Sequence, residues 1–337
     1  MADHPRESRI PGRGCQDAHE IESSRNLLVG ISIGSRAQDY PTRPVTIIVP
    51  TAAGGGVDFT GRLIAAELQS ALGKPFVVEN KGGASGNIGT LQAARAAPDG
   101  YTLFLGMSGF HVTNPALFSD LRWDPVRDFS GIAMIMRAPH IVIVNKQFPA
   151  NSLSELIAYA RAHPGKLNYA SPGVGTQNQI AADLLAQLTN IQLTPVFYRG
   201  TGPALNDVLA GTVSLFINTT QSLIGPLQGD RIRGLAILSP TRHPLLPDLP
   251  TNSEAGVPGL EIETWYALYA PRGTPRDVID LLARAIAKIS EGDDFKARVG
   301  MSGATISYMG PDELDGFTQT QVAHWTHIIR KLGITAQ

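Results

Sequence analysis

The chain has 337 residues, 43% of them apolar, with 28 basic and 29 acidic side chains and a formal net charge of −1. Its length suits one large domain or two medium ones with sizeable cores, and no uncharged apolar run approaches the roughly 20 residues of a membrane helix. The balanced charge, without any Lys/Arg cluster, argues against nucleic acid or an anionic membrane surface as a partner, so recognition is expected in a specific pocket.

Residues Met1 to Ser24 are polar and aperiodic. Arg25, the uncharged stretch Asn26 to Ser35 and the triplet Ser35-Arg36-Ala37 then follow the order of a secretory signal, with cleavage after Ala37. Residues 1–37 are therefore expected to be a leader or a disordered extension. Cys15 is the only cysteine, which excludes an internal disulfide, a CxxC metal site and a redox pair. It precedes the apolar stretch, whereas a lipoprotein cysteine follows one.

From Val45 the chain alternates between β-type runs and helical patterns. Val45 to Pro50 reads as a buried strand, and Asp58 to Leu72 as an amphipathic helix with Leu63, Ile64, Leu68 and Leu72 on one side. Phe76 to Val78 (strand), Ile88 to Ala97 (helix) and Tyr101 to Leu105 (strand) complete a βαβαβ order, the signature of a parallel, helix-covered sheet. The pattern restarts at His140 to Val144. A helix follows over Ser152 to Ala162, where Ser152 with Glu155 forms a capping-box spacing. Strands are expected at Leu167–Ala170, Leu193–Phe197, Val213–Ile217 and Ile232–Leu238, with helices ending at Leu188 and spanning Pro203 to Ala210. Thr264 to Tyr269 looks extended, and Pro275–Ser290 and Pro311–Leu332 look helical. Two successive α/β units imply two lobes. The tail is expected to return to the first, giving lobe 1 residues 38–139 plus 265–337 and lobe 2 residues 140–264. Crossings near residues 138–144 and 262–270 would form the hinge, with Trp265, Tyr266 and Tyr269 as core and hinge aromatics or, alternatively, as part of the cleft lining.

The placement of glycines carries the chemistry. Thr51-Ala-Ala-Gly-Gly-Gly-Val-Asp58 follows a strand and opens a helix, and Ser171-Pro-Gly-Val-Gly-Thr-Gln-Asn178 does the same in the second unit. Glycine allows close approach of a ligand to the backbone, and a helix start offers unpaired N–H groups and a positive dipole end. A single such loop is an ordinary connection. One in each half, at the carboxyl ends of the strands, makes a clamp for an anion. Nucleotide motifs fail: Phe59 stands where G-x-G-x-x-G needs its last small residue, and Gly73-Lys74 is followed by Pro75. Gly106-Met-Ser-Gly-Phe110 lacks the final glycine of a nucleophile elbow. His324 and His327 have no accompanying carboxylate, so neither a metal nor a cofactor is expected.

Several motifs occur in a fixed order: Tyr40-Pro-x-Arg-Pro44, Ala52-Ala-Gly-Gly-Gly56 with Asp58, Val78-Glu-Asn80, Gly86-Asn-Ile-Gly89 and Ala97-Pro-Asp-Gly-Tyr101. Asn114-Pro115, Asp124-Pro125, Asp128-Phe129, Pro164-Gly-Lys-Leu-Asn-Tyr169, Tyr198-Arg-Gly200, Leu249-Pro-Thr251, Glu254-Ala-Gly256 and Ala270-Pro-x-Gly-Thr-Pro275 follow. From about Tyr40 onward this resembles the solute-binding proteins of tripartite tricarboxylate transporters, the Bug receptors. The resemblance implies a periplasmic type II binding fold whose two lobes close on an organic acid or an amino acid. It implies contacts from Thr51, Ala52, Ala53, Gly54, Gly55, Gly56 and Asp58 in the first loop. In the second loop it implies Ser171, Gly173, Val174, Gly175, Thr176, Gln177 and Asn178. Met107, Ser108, Gly109, Tyr198 and Asn218 would complete the cleft. Three positions depart from the family pattern: Thr51 replaces a common aromatic, Gln179 a frequent His, and Asn218-Thr-Thr220 a more usual Asp-Asn-type run.

The expectation is a monomeric, exported receptor that hands a small carboxylate to the membrane subunits of a tripartite transporter. An extracytoplasmic sensor using the same clamp, or an enzyme acting on an organic acid, are the alternatives that sequence leaves open.

Overall fold

A computed structural model describes residues 40–334. The leader expected over residues 1–37, and Cys15 with it, lies outside the described residues.

The first half runs β1 (Val45–Val49), α1 (Gly56–Leu72), β2 (Phe76–Asn80), α2 (Asn87–Ala94), β3 (Thr102–Met107), a π-helical turn (Ser108–Val112), the short α3 (Asn114–Leu117) and β4 (Phe129–Asn145). Then come α4 (Leu153–Ala162), β5 (Leu167–Ser171), α5 (Gln177–Thr189), β6 (Leu193–Phe197), α6 (Thr201–Ala210), β7 (Leu215–Thr219), α7 (Thr220–Gln228) and β8 (Ile232–Ile237). The tail adds β9 (Glu263–Pro271), α8 (Arg276–Glu291), α9 (Asp293–Met301), β10 (Thr305–Met309) and α10 (Pro311–Leu332).

Two sheets share one strand. In the first, β1 pairs in parallel with β2 and β3, and β9 runs antiparallel between β3 and β4, with β10 on the far side of β4. In the second, β7 and β8 flank β4 antiparallel, while β5 pairs in parallel with β7 and β6. The amino-terminal part of β4 faces β9 from Phe129↔Pro271 to Pro139↔Glu263. From His140 onward its partner is β7, starting at His140↔Thr219. Pro139 has no N–H to give to a ladder, and the strand changes sheets one residue later. There His140 N donates to Ile262 O at 3.0 Å, Leu238 N to His140 O at 2.8 Å and Ile262 N to Leu238 O at 3.0 Å. Both chain crossings are thus hydrogen-bonded to each other at His140.

The result is the two-lobed α/β architecture expected from the alternation of strands and helices. The tail contributes to the first sheet through β9 and β10, and α8 packs on it through Val278, Ile279, Leu282 and Ile286. Three sequence-level expectations needed extension. β4 begins eleven residues before His140 because Ile132-Ala-Met-Ile-Met136 is buried on both faces and shows no alternation. The helix α7 contains Pro226, which concealed it, and α9 and β10 fill the interval between the two tail helices. Ser152 does cap α4, accepting from Glu155 N at 3.1 Å. The carboxylate of Glu155 reaches back to Asn151 N at 2.7 Å instead of to the capping residue.

Candidate ligand cleft

A cavity of about 160 Å³ lies between the two sheets, over the crossing at His140. Four helices begin at its wall. Gly55, Gly56 and Val57 open α1, Thr176 and Asn178 open α5, Gly200 to Pro203 open α6, and Thr219 and Ser222 belong to the start of α7. First-turn N–H groups have no intrahelical partner, and each aligned dipole favours an anion by about 0.3–1 kcal/mol. Among the described residues Arg199 is the only Arg, Lys, Asp or Glu that lines the cavity. His140 lines it too, but burial pushes its pKa down to about 4, only partly opposed by the Ile262 carbonyl, so the imidazole is neutral at neutral pH. The helix starts and Arg199 thus bias the polar part of the wall toward an anion.

The first glycine loop is shaped from behind. Asp58 does not line the cavity. Its carboxylate accepts from Gly54 N at 3.0 Å, Arg62 Nε at 3.1 Å and Asn80 Nδ2 at 3.0 Å. Burial opposes its charge, yet the hydrogen bonds from Arg62, Gly54 and Asn80 outweigh burial and hold the carboxyl below its usual range. Asn80 also donates to Thr51 O at 3.1 Å, which ties β2 to the loop. With Gly54 N already taken, the free donors are those of Gly56 and Val57 at the start of α1. Gly55 caps this helix in extended backbone, φ −95°, with no side-chain cap. Gly56 is needed for space: a Cβ there would sit 2.6 Å from both Gln221 Oε1 and Tyr266 Oη.

The second loop is largely self-satisfied. Ser171 Oγ donates to Gly173 O at 2.7 Å, Thr176 Oγ1 donates to Gly173 O at 3.0 Å, and Gln179 Oε1 accepts from Gly175 N at 2.8 Å. The departure at Gln179 is therefore a loop brace. Gly175 has φ +74° and packs against Leu117 of α3 with no room for a Cβ. Ser108 and Gln177 lie outside the cavity wall as a buried tie: Gln177 Oε1 accepts from Ser108 Oγ at 2.7 Å and from Thr264 Oγ1 at 2.8 Å.

Of the residues singled out by sequence, Thr51, Ala52, Ala53, Gly55, Gly56, Met107, Gly109, Thr176, Asn178 and Asn218 converge on the cavity. Gly54, Asp58, Ser108, Ser171, Gly173, Val174, Gly175 and Gln177 support them from the surrounding loops. Tyr198 is turned away, its hydroxyl donating to Asp207 Oδ2 at 2.7 Å. Sequence reasoning missed Val57, Phe110, His140, Pro172, Thr219, Ser222 and Thr264, and the segment Arg199 to Pro203. That last segment had a legible signal: Gly200-Thr-Gly202-Pro203 follows a strand and opens a helix, the same arrangement as the two loops recognised. Trp265 and Tyr269 are core residues as expected, whereas Tyr266 also faces the cavity.

Two α/β lobes, two crossings bonded at a hinge and an interlobe cavity walled by helix starts define a solute-binding protein of the periplasmic type II class. The family model of the tripartite tricarboxylate transporter family receptor matches residues 60–334, and the chain belongs to that family. Protein BugT of Bordetella pertussis is 33% identical over 305 residues, which cover 90% of this chain and 94% of BugT. The solved periplasmic binding protein BugD is 35% identical with a TM-score of 0.84, covering 88% of this chain and 100% of that one. An R. palustris protein solved with adipate is 35% identical with a TM-score of 0.85, covering 88% and 99% respectively.

Proposed function

We propose that this protein is an extracytoplasmic receptor that closes its two lobes on a small organic carboxylate and presents it to the membrane subunits of a tripartite transporter. The observation that carries this reading is the convergence of four helix starts on an interlobe cavity with no carboxylate among its described lining residues. One carboxylate of the ligand sits against the amides of Gly56 and Val57, with water bridging where the fit is loose. Lobe 1 comprises residues 38–139 plus 265–337 and lobe 2 residues 140–264. They pivot about the bonded crossings at Leu238, His140 and Ile262. The receptor acts as a monomer in the periplasm and performs no covalent chemistry. Ser108 and Ser171 are both engaged in hydrogen bonds within the loops, and neither has a histidine base among its hydrogen-bond partners. The family membership and the adipate held by the R. palustris relative support the same ligand class.

A thermal-shift screen against organic acids, amino acids and nucleotides tests this, because a ligand that binds only the folded state raises its apparent stability. Stabilisation by carboxylates is expected. Stabilisation by nucleotides alone, or steady consumption of the acid, would replace the receptor with an enzyme.

A further inference from the structure

The turn between β2 and α2 is strained. Gly83, Ala84, Ser85 and Gly86 have φ of +117°, +46°, +51° and +82° in succession. For Ala84 and Ser85 this is the left-handed region, where the Cβ crowds the following carbonyl, and such residues persist only when surrounding contacts hold them. Two sequence motifs that the cavity does not use, Gly86-Asn-Ile-Gly89 and Asn114-Pro115, meet here and supply the hold. The buried Asn114 donates from Nδ2 to Ser85 O at 2.9 Å and to Asn87 Oδ1 at 2.7 Å, and Trp123 Nε1 donates to the same Oδ1 at 3.2 Å. The turn is also wedged against the cavity wall. A Cβ on Gly82 would lie 3.0 Å from Ala52 N and one on Gly86 2.8 Å from Phe110 Cδ2, and both Ala52 and Phe110 line the cavity. Held in this way, Ser85 Oγ donates to Val174 O at 3.0 Å. The turn follows β2 of the first sheet, whereas Val174 belongs to the second glycine loop, between β5 and α5 of the second sheet. Neither residue lines the cavity.

We propose that Ser85 is a clasp across the cleft: a positioning residue that touches no ligand, joins the two glycine-loop regions when the lobes are together, and sets how fast a captured ligand is released. This rests on the receptor function proposed above. The hydroxyl and the carbonyl stand on different sheets, so the bond exists only while those sheets are close. Ser85 and Val174 are both partly exposed, so on opening each exchanges its partner for water at little cost. The bond therefore favours the closed form over the open one, which is what shifts a population between two states. The strained backbone serves the same end. It fixes the hydroxyl in the direction of the opposite loop before closure, so little freedom is lost when the bond forms.

The test uses the full chain and, as probe, the tightest binder among adipate, malate and citrate. Surface plasmon resonance gives the rates, and melting temperatures are taken without ligand. Ser85→Ala removes the hydroxyl and leaves the backbone as strained as before. It is expected to speed dissociation about five-fold, the worth of one ordinary hydrogen bond, with association and the unliganded melting temperature unchanged. Ser85→Gly removes the hydroxyl and also relieves the left-handed backbone. It should release the probe at least as fast as Ser85→Ala, yet melt about 2 °C higher than the intact protein without ligand. Unchanged dissociation from Ser85→Ala would overturn the clasp. So would a lower unliganded melting temperature for Ser85→Ala, since the bond would then brace the open form as well as the closed one. Slower association with unaltered dissociation would overturn it too. If none of the three acids binds, the receptor function fails and the clasp with it, an outcome distinct from binding with unaltered release.

Discussion

Replacing Gly55 by Val separates the clamp from the scaffold. Gly55 caps α1 with φ −95° and ψ 175°, a backbone that a β-branched residue adopts readily. A Cβ built there meets nothing within 4 Å, so the side chain enters open space. That space is the ligand cavity, since Gly55 lines it beside the free amides of Gly56 and Val57. The fold should register little. Val is a poorer cap than Gly by several tenths of a kcal/mol, and the loss of unfolded-chain freedom offsets this by about 0.4–1 kcal/mol. Forcing a ligand against two extra methyl groups costs about 1–3 kcal/mol, which is about 5- to 150-fold in Kd. Calorimetry with the acid found by thermal shift, alongside the unliganded melting temperature, measures both. Unchanged affinity with an unchanged melting temperature would refute the amide clamp at α1.

Gly56→Ala acts differently, since its methyl would overlap Gln221 of α7 and Tyr266 of β9. Affinity should fall about ten-fold through obstructed closure, and small-angle scattering should show a ligand-saturated variant more extended than the intact protein; equal compactness would reject this. Acid should destabilise the fold through two buried imidazoles. Burial pushes His111 down to about 3, with Asp124 opposing weakly, and His140 down to about 4. The unfolded chain takes up protons below its ordinary histidine pKa of about 6.5 while the folded one does not, so stability is full above that value. It then falls by about 1.4 kcal/mol per pH unit for each histidine until the folded pKa is reached. His111→Phe should flatten the profile of urea-derived stability between pH 4 and 6 by one such increment; an unaltered slope would show that His111 is not neutral in the fold.

Most of the fold was legible because its strands and helices differ in period and are punctuated by glycine and proline. The first lobe's βαβαβ order needed only local pattern. What escaped was the shared strand: Phe129 to Pro139 has no alternation because it is covered on both faces, and its Ala and Met residues favour helix as readily as strand. The site was legible as two loops and hidden as a constellation. Thr264 and Tyr266 lie on β9, some ninety residues beyond the second loop, and reach the cavity only because β9 is inserted between β3 and β4. No local pattern encodes that insertion.

The same division explains why only part of each glycine loop faces the ligand. A loop must satisfy its own backbone before it can offer anything. Asp58 uses Gly54 N, and Gln179 uses Gly175 N, so both loops spend side chains on holding their shape. The donors left over are those that helix geometry makes unavoidable, at the first turns of α1, α5, α6 and α7. A wall of this kind attracts an anion without dictating the remainder of the molecule. Discrimination then falls to the side chains that line the cavity between those helix starts, among them Thr51, Met107, Asn178, Asn218 and Tyr266.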